Sequence, residues 1–101
     1  MWAQLQKVST KPEKEAELLD VFEQVRALEQ ADSGLLKTMV MRSQADPTQV
    51  YVLVAFESEE KARARERDPR RQPGLESIRA AMGELLDRPP EFFDLDVLRD
   101  E

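Results

Sequence analysis

Hydrophobic and polar residues alternate along four segments of the chain, a pattern typical of half-buried β-strands. The first segment is the opening MWAQLQKVST, and the last is EFFDLDVL. Between them, LLKTMVMRS and QVYVLVAFE flank the polar stretch QADPTQ, in which Asp46 and Pro47 predict the turn of a hairpin. The pattern therefore predicts four strands, of which the middle two pair antiparallel.

Two further segments have the three- and four-residue spacing of amphipathic helices. In the first, Thr10 and Glu13 resemble a capping box, and Gly34 predicts the end of the helix. Its apolar stripe comprises Leu18, Val21, Phe22, Val25 and Leu28. The second segment opens at Ser58, which predicts an N-cap. Pro69 and Pro73 interrupt it, and the stripe that packs on the sheet then comprises Leu75, Ile78, Met82 and Leu85.

The order of elements is strand, helix, strand, strand, helix, strand, which predicts an α+β fold of the ferredoxin-like βαββαβ type with a four-stranded antiparallel sheet. We expect residues 1–101 to form one domain with both helices on one face of the sheet. A chain of this length buries only about two-thirds of its unfolded surface, so a partner subunit would add to a small core.

Alternation within each strand predicts which side chains meet the helices. We assign to the helix-covered face Ala3, Leu5, Met39, Met41, Val52, Val54, Phe93 and Leu95. The other face then mixes aromatic, aliphatic and polar side chains: Trp2, Gln4, Gln6, Leu36, Thr38, Val40, Arg42, Tyr51, Leu53, Ala55, Glu57, Phe92, Asp94 and Asp96. Because a mixed apolar patch marks an interface or a ligand groove, we expect two copies to pair face to face as a dimeric α/β barrel around a small-molecule cavity.

Composition excludes several kinds of site. The net charge of −6 opposes attraction to nucleic acid or to an anionic membrane surface. The chain has no cysteine and no histidine, which removes disulfides, thiol nucleophiles and the commonest nitrogen ligand for metals. We therefore predict no metal site and no cofactor. No apolar segment approaches the roughly 18 residues of a membrane span, and we expect a cytoplasmic protein.

Four stretches carry a resemblance to a known family: MWAQLQKVSTKPEKEAEL, GLLKTMVMRS, DPTQVYVLVAFESEEKARARERDP and EFFDLDVL. Together they resemble the antibiotic biosynthesis monooxygenase-like domain of the dimeric α/β barrel superfamily. The most specific piece is the joint from Phe56 to Glu60, where a β-run ending in an aromatic and an acid is followed by SEE at a helix start. The resemblance implies a homodimer and a fold shared by cofactor-independent oxygenases, quinol oxygenases and haem-degrading enzymes. The haem-degrading members depend on a histidine and an asparagine, and this sequence has neither.

Asp94 and Asp96 are the candidate acid and base groups, because side chains two apart on a strand project to the same side. Burial in a dry cavity and mutual repulsion would raise the pKa of one carboxyl and make it a general base. The alternative, which we favour, is that one of them pairs across strands with Arg42 or with Gln4 and Gln6.

Two aromatic residues each have two interpretations. Tyr51 either orients a phenolic substrate or reaches solvent beside the cavity. Trp2 either holds a substrate ring or packs at the dimer interface, and we favour the interface because buried aromatics more often supply contact area. Asp94 and Tyr51 are thus the predicted catalytic residues, and the predicted cavity residues are Trp2, Gln4, Gln6, Thr38, Arg42, Leu53, Glu57, Phe92 and Asp96.

A basic cluster and a methionine pair complete the candidates. The cluster either guides an anionic substrate or forms a solvated face paired with nearby glutamates, which we favour; it comprises Arg63, Arg65, Arg67, Arg70 and Arg71. Met39 and Met41 are interpreted as core filler.

The leading hypothesis is a homodimeric, cofactor-independent monooxygenase-like enzyme. It would act on a small aromatic or enolisable substrate, either between the sheet and the helices or in the dimer barrel. Asp94 or Tyr51 would promote deprotonation, and the resulting anion would react with dioxygen in a water-poor cavity. One alternative is a non-catalytic binding or interaction module whose cavity is closed by Trp2, Phe92 and Leu53. Another is a lactone isomerase or lyase that needs no dioxygen.

Overall fold

Seven elements follow one another in the computed structural model, which describes residues 1–101. In chain order they are strand β1 (Trp2–Ser9), helix α1 (Glu15–Ala27), strand β2 (Leu35–Arg42), strand β3 (Gln49–Phe56), helix α2 (Glu59–Glu66), helix α3 (Gln72–Leu85) and strand β4 (Glu91–Asp96). The strands form one antiparallel sheet in the order β2-β3-β1-β4. The predicted ferredoxin-like fold is confirmed, with two helices rather than one in the crossover from β3 to β4.

Helices α1 and α3 pack together on one face of the sheet through the predicted apolar stripes. Leu18 of α1 is completely buried and packs with Val8, Val50 and Leu86 between the helix and the sheet. One turn later, α1 meets α3 through a second cluster of Val21, Ile78 and Leu85. Helix α1 is therefore the element that joins the sheet to α3. None of the three helices is long and apolar enough to cross a lipid bilayer.

The helix ends differ in part from their prediction. Ser58 is the N-cap of α2 as predicted, since its side-chain oxygen accepts a hydrogen bond from the backbone N–H of Lys61 at 3.2 Å. The capping box at Thr10 is wrong: Thr10 bridges to Leu86, and α1 begins only at Glu15. Helix α1 ends before Gly34 as predicted, although it already stops at Ala27; the φ of 81° at Gly34 turns the chain into β2.

The pairing of β1 with its two neighbours decides which side chains meet the helices. Trp2 lies opposite Phe56, and Gln4 lies opposite both Val54 and Asp94. Directly opposed residues share a face of a sheet, and Trp2, Val54 and Phe56 are all buried. The covered face therefore carries Trp2, Gln4, Gln6, Val8, Thr38, Val40, Arg42, Val50, Val52, Val54, Phe56, Phe92, Asp94 and Asp96.

This register makes the predicted face assignment correct for β3 and wrong for β1, β2 and β4. Tyr51, Leu53 and Ala55 lie on the uncovered face as predicted. The same face also carries residues that alternation predicts on the helix-covered face: Ala3, Leu5, Met39, Met41, Phe93 and Leu95. The assignment failed because alternation shows only which side chains of one strand share a face. Which face of one strand matches which face of its neighbour depends on the pairing register.

Several side chains on this uncovered face are open to solvent in the single chain. Met39 is 38% exposed and Phe93 is 46% exposed, so the interpretation of the methionine pair as core filler is wrong. Cross-strand pairing places Met39, Leu53, Leu5 and Phe93 in one row across all four strands. The row forms a continuous apolar patch that the helices do not cover.

Truncation of Leu18 tests where the core lies. We expect Leu18→Ala to lower the free energy of unfolding by about 2–5 kcal/mol, because the substitution leaves a cavity at a completely buried site. Its neighbour Leu19 is 53% exposed, and Leu19→Ala is the matched control with an expected change within about 0.5 kcal/mol. Urea denaturation followed by circular dichroism measures both, and equal losses would contradict this packing of α1.

Candidate active site

A groove of about 1200 Å³ lies between the covered face of the sheet and the helices. The sheet contributes polar side chains, Gln4, Gln6, Thr38 and Asp94, beside the apolar Val40, Val52, Val54 and Phe92. The helices contribute Phe22, Leu75, Ile78 and Met82 from the opposite wall. Arginine and glutamate side chains complete the lining, so the groove combines apolar surface with many polar and charged groups. A concave surface with convergent polar groups is suited to a small-molecule ligand.

The polar side chains of the sheet wall are connected by hydrogen bonds. Gln4 of β1 is the cross-strand partner of Asp94 of β4, and its side-chain Nε2 donates to Asp94 Oδ1 at 3.0 Å. Gln6, two residues along β1, donates from Nε2 to Gln4 Oε1 at 3.5 Å. The predicted pairing of Asp94 with a glutamine across strands is therefore present, and it lies inside the groove rather than on the uncovered face.

Arg63 of α2 is the second partner of Asp94, in place of the predicted Arg42. Its Nη2 lies 2.7 Å from Asp94 Oδ2. The hydrogen bonds from Gln4 and then from Arg63 stabilise the ionised carboxylate and hold the pKa of Asp94 below its usual range. The alternative in which the pKa of this carboxyl rises is therefore wrong, and the favoured alternative of cross-strand pairing holds for Asp94. Asp94 is thus an ionised hydrogen-bond acceptor and only a weak base.

Trp2 determines where Arg63 can lie. The guanidinium carbon of Arg63 is 5.0 Å from the centre of the Trp2 ring, a cation–π distance. Trp2 itself is 6% exposed and packs against Phe56, with ring centres 6.2 Å apart. Its indole lies beneath α2 and does not line the groove. Since it is buried within its own chain, the structure also places it away from the predicted dimer interface.

Arg63 has further acidic partners within its own helix. It pairs with Glu59 at 3.2 Å and with Glu66 at 3.1 Å, as predicted for a helix with these spacings. The contact with Asp94, followed by that with Glu59, raises the pKa of Arg63 above its usual range. Asp94 is therefore bound by a guanidinium that stays charged and is itself fixed by ion pairs with Glu59 and Glu66.

The remaining predicted site residues lie apart from Asp94. Tyr51 and Leu53 are on the uncovered face, so Tyr51 and Asp94 of one chain cannot contact the same small molecule. Arg42 ends β2 opposite Val50 and does not line the groove. Asp96 is exposed on β4 opposite Trp2, and Glu57 forms an ion pair with Lys61 just beyond β3. Of the predicted set, the structure brings together Gln4, Gln6, Thr38, Phe92 and Asp94.

Sequence reasoning missed the arginines that turn into the groove. The prediction that the basic cluster forms a solvated face paired with glutamates holds for only part of the cluster. Arg65 and Arg71 line the groove instead of facing solvent. Arg65 holds Glu29 of the α1–β2 connection with its Nη2 at 2.7 Å from Glu29 Oε1. Burial alone would raise the pKa of Glu29, but the bonds from Arg65 and Ser33 outweigh it and lower that pKa. The sequence signal that could have indicated these arginines is Ala62. Its small side chain lets α2 approach the sheet, and only 2% of the residue is exposed.

Asp68, at the end of the same helix region, illustrates the paired part of the cluster. Arg70 donates to both Asp68 oxygens, from Nη2 to Oδ2 at 2.6 Å and from Nε to Oδ1 at 3.0 Å. These bonds lower the pKa of Asp68 to about 2. No three acidic side chains are grouped so that they could hold a metal ion.

Comparison with known proteins gives one sequence family and a consistent set of folds. A family model described as antibiotic biosynthesis monooxygenase matches residues 1–73. A protein from Caulobacter crescentus CB15, provisionally named an antibiotic biosynthesis monooxygenase, is 22% identical with a TM-score of 0.80, covering 97% of this chain and 90% of that one. SnoaB from Streptomyces nogalater, a cofactor-independent oxygenase whose structure is that of a point mutant, is 14% identical with a TM-score of 0.78, covering 98% and 94%. No curated protein matches the sequence.

A third similar structure comes from Nitrosomonas europaea and carries the same provisional name. It is 15% identical, with a TM-score of 0.79, and the match covers 98% of this chain and 100% of that one. At these identities the structural likeness establishes the fold, while the family match rests on the sequence.

Replacement of Arg63 tests the electrostatics of the site. We expect Arg63→Gln to raise the pKa of Asp94, because it removes one of the two donors to the ionised carboxylate. Arg67→Gln is the control, since Arg67 is exposed at the end of α2. Carboxyl-carbon NMR titration measures the change.

The sign of the associated pH dependence follows from the lowered pKa. The unfolded chain titrates Asp94 at about 3.9, so the contacts of the carboxylate stabilise the fold above that pH. This contribution is lost as the pH falls through the lower folded pKa. An Asp94 pKa that stays the same in Arg63→Gln would show that the ion pair has no effect on the carboxyl.

Proposed function

The chain belongs to the antibiotic biosynthesis monooxygenase family, and from this premise we propose that it is a cofactor-independent oxygenase of a small aromatic or enolisable compound. The observation that carries the proposal is the groove on the covered face, whose lining combines the ionised carboxylate of Asp94 with apolar side chains from both the sheet and the helices. The likeness to SnoaB supports the same interpretation, because that protein is named a cofactor-independent oxygenase and has the same fold.

The low pKa of Asp94 restricts the substrates that fit this chemistry. A weak base removes a proton efficiently only from an acidic group, because general base catalysis depends on matched proton affinities. The substrate therefore carries a phenolic or enolic hydroxyl, or a methylene group activated by adjacent carbonyl and aromatic groups. Asp94 accepts the proton, and the electron-rich anion left in the groove reacts with dioxygen.

The reaction balances without a reductant. For an activated methylene group, the substrate supplies two hydrogens and dioxygen supplies two oxygens; one oxygen becomes the new carbonyl and the other leaves as water. The carbon loses four electrons, and dioxygen accepts four. Gln4 and Arg63 hold the carboxylate of Asp94 in place during the proton transfer.

The shape of the groove favours this proposal over a closed interaction module. A closed pocket would need Trp2, Leu53 and Phe92 to fill it. Trp2 is packed beneath α2, Leu53 is on the opposite face of the sheet, and Phe92 is 56% exposed. The groove therefore has room for a ligand of two or more fused rings.

Oxygen uptake tests the proposed reaction. With a panel of naphthols and cyclic 1,3-diketones, we expect turnover to consume one dioxygen per product and to place one labelled oxygen atom from ¹⁸O₂ in the product. Asp94→Asn should lower kcat by about 100-fold or more, since it removes the proton acceptor. Asp20→Asn, an exposed position on α1, is the matched control and should leave kcat unchanged.

Two outcomes would contradict the oxygenase. Turnover of the same compounds at full rate under anaerobic conditions would point to an isomerase or a lyase. Full oxygen uptake by Asp94→Asn would remove Asp94 from the reaction.

We further propose that two copies pair through their uncovered faces. The row of Met39, Leu53, Leu5 and Phe93 is exposed or half-buried, although its side chains are apolar, and a self-complementary sheet face is suited to a twofold dimer. Tyr51 lies beside this row as the cross-strand partner of Met41. Its place is then at the dimer contact rather than in the groove.

Native mass spectrometry tests the pairing. We expect the wild-type protein to be a dimer and Phe93→Glu to be a monomer, because the substitution places a charge from each copy in the apolar contact. Leu19→Glu introduces the same charge at an exposed position on the helical side and should remain a dimer. A monomeric wild type would contradict the pairing and leave the oxygenase proposal to its own test.

A further inference from the structure

The groove carries positive charge that its own carboxylates do not neutralise. Four acidic side chains line it, and each has an arginine within 4.0 Å: Glu23 with Arg26, Glu29 with Arg65, and Glu66 and Asp94 with Arg63. Two lining arginines, Arg71 and Arg79, have no carboxylate within that distance. The chain as a whole has a net charge of −6, so the excess of positive charge is confined to the groove.

Arg71 is the more unusual of the two because it is buried. Only 3% of the residue is exposed, and the single hydrogen bond of its side chain runs from Nη1 to the backbone oxygen of Arg65 at 3.3 Å. Its Nε is buried without any partner. A guanidinium has five N–H donors, and a buried donor without an acceptor is destabilising. The fold therefore holds a cation at the groove with most of its donors unused.

The carboxylates nearest to Arg71 are already occupied. Glu29 and Asp68 are the two acidic groups whose charge acts on it, but Glu29 is bound by Arg65 and Asp68 by Arg70. Arg65 adds a repulsive positive charge. Burial and then this repulsion lower the pKa of Arg71 from its usual value. An anion in the groove would relieve both effects.

We infer that Arg71 binds an oxyanion of the ligand, so that the groove takes an aromatic or enolisable compound that also carries a carboxylate. The planar guanidinium matches a carboxylate in two parallel hydrogen bonds, and only one of its N–H groups has a partner within the chain. This inference rests on the proposed function for the use of the groove as a substrate site. To the proposed function it adds that the substrate is negatively charged and that Arg71 recognises this charge.

Binding measurements on matched neutral and anionic probes test the inference. With isothermal titration calorimetry, we expect wild-type protein to bind 2-naphthoate about tenfold or more tightly than 2-naphthamide, the neutral analogue of the same shape. Arg71→Met should remove that preference by weakening the binding of naphthoate alone. Arg71→Lys keeps the charge but not the planar fork, and should retain only part of the preference.

Arg67→Met is the matched control because Arg67 is exposed, lies four residues before Arg71 and does not line the groove. Its removal also leaves Asp68 bound to Arg70 and Glu29 bound to Arg65. We expect this variant to keep the wild-type preference for naphthoate. A loss of preference in Arg67→Met equal to that in Arg71→Met would assign the effect to the general charge of the region and would overturn the inference.

Results with the wild type alone can also overturn it. Equal affinity for naphthoate and naphthamide, or no binding of either at millimolar concentration, would do so even if Arg71→Met fails to fold. Failure here is distinguishable from failure of the oxygenase proposal. Oxygen uptake with neutral naphthols would leave the oxygenase intact without the carboxylate anchor, whereas naphthoate binding without any oxygen uptake would leave the anchor intact without the oxygenase.

Discussion

The pairing register of the central strand β1 is the constraint on which the rest of the structure depends. Because Gln4 lies opposite Val54 on one side and Asp94 on the other, the even-numbered side chains of β1 face the helices. A shift of one residue would turn them to the other face and bring Ala3 and Leu5 under α1. The same register that buries Trp2 and Val8 at the two ends of the strand leaves Gln4 and Gln6 in its middle to line the groove.

A chain of contacts then carries this geometry to the candidate active site. Phe56 packs against Trp2, the Trp2 ring lies next to the guanidinium of Arg63, and Arg63 holds Asp94. The hydrophobic core beneath α2 thereby supports a charged contact at the edge of the groove. The Arg63 guanidinium is fixed by the ring on one side and by carboxylates on the other, so the position of the Asp94 carboxylate depends on packing as much as on charge.

The elements of the fold could be predicted because their signals are local. The stripe from Leu18 to Leu28 and the Asp46 turn, where the carboxylate accepts from the Thr48 backbone at 3.1 Å, need only neighbouring residues to form. The face assignment failed because alternation relates side chains only within one strand. Gln4, Gln6 and Asp94 were assigned to the uncovered face together with the apolar Trp2 and Phe92, and the pairing of β1 with β3 and β4 places all five on the covered face.

The sequence by itself determined the four strands, the two helical segments, their ferredoxin-like order and the family, since these depend on local periodicity and on short stretches of neighbouring residues. Only the tertiary structure decided which face the helices cover, that Asp94 is paired with Arg63 rather than Arg42, and that Arg71 is buried beside the groove. Those outcomes join residues that are far apart in the chain, such as positions 63 and 94. Strand register and helix packing bring such residues together, and no local pattern records either one.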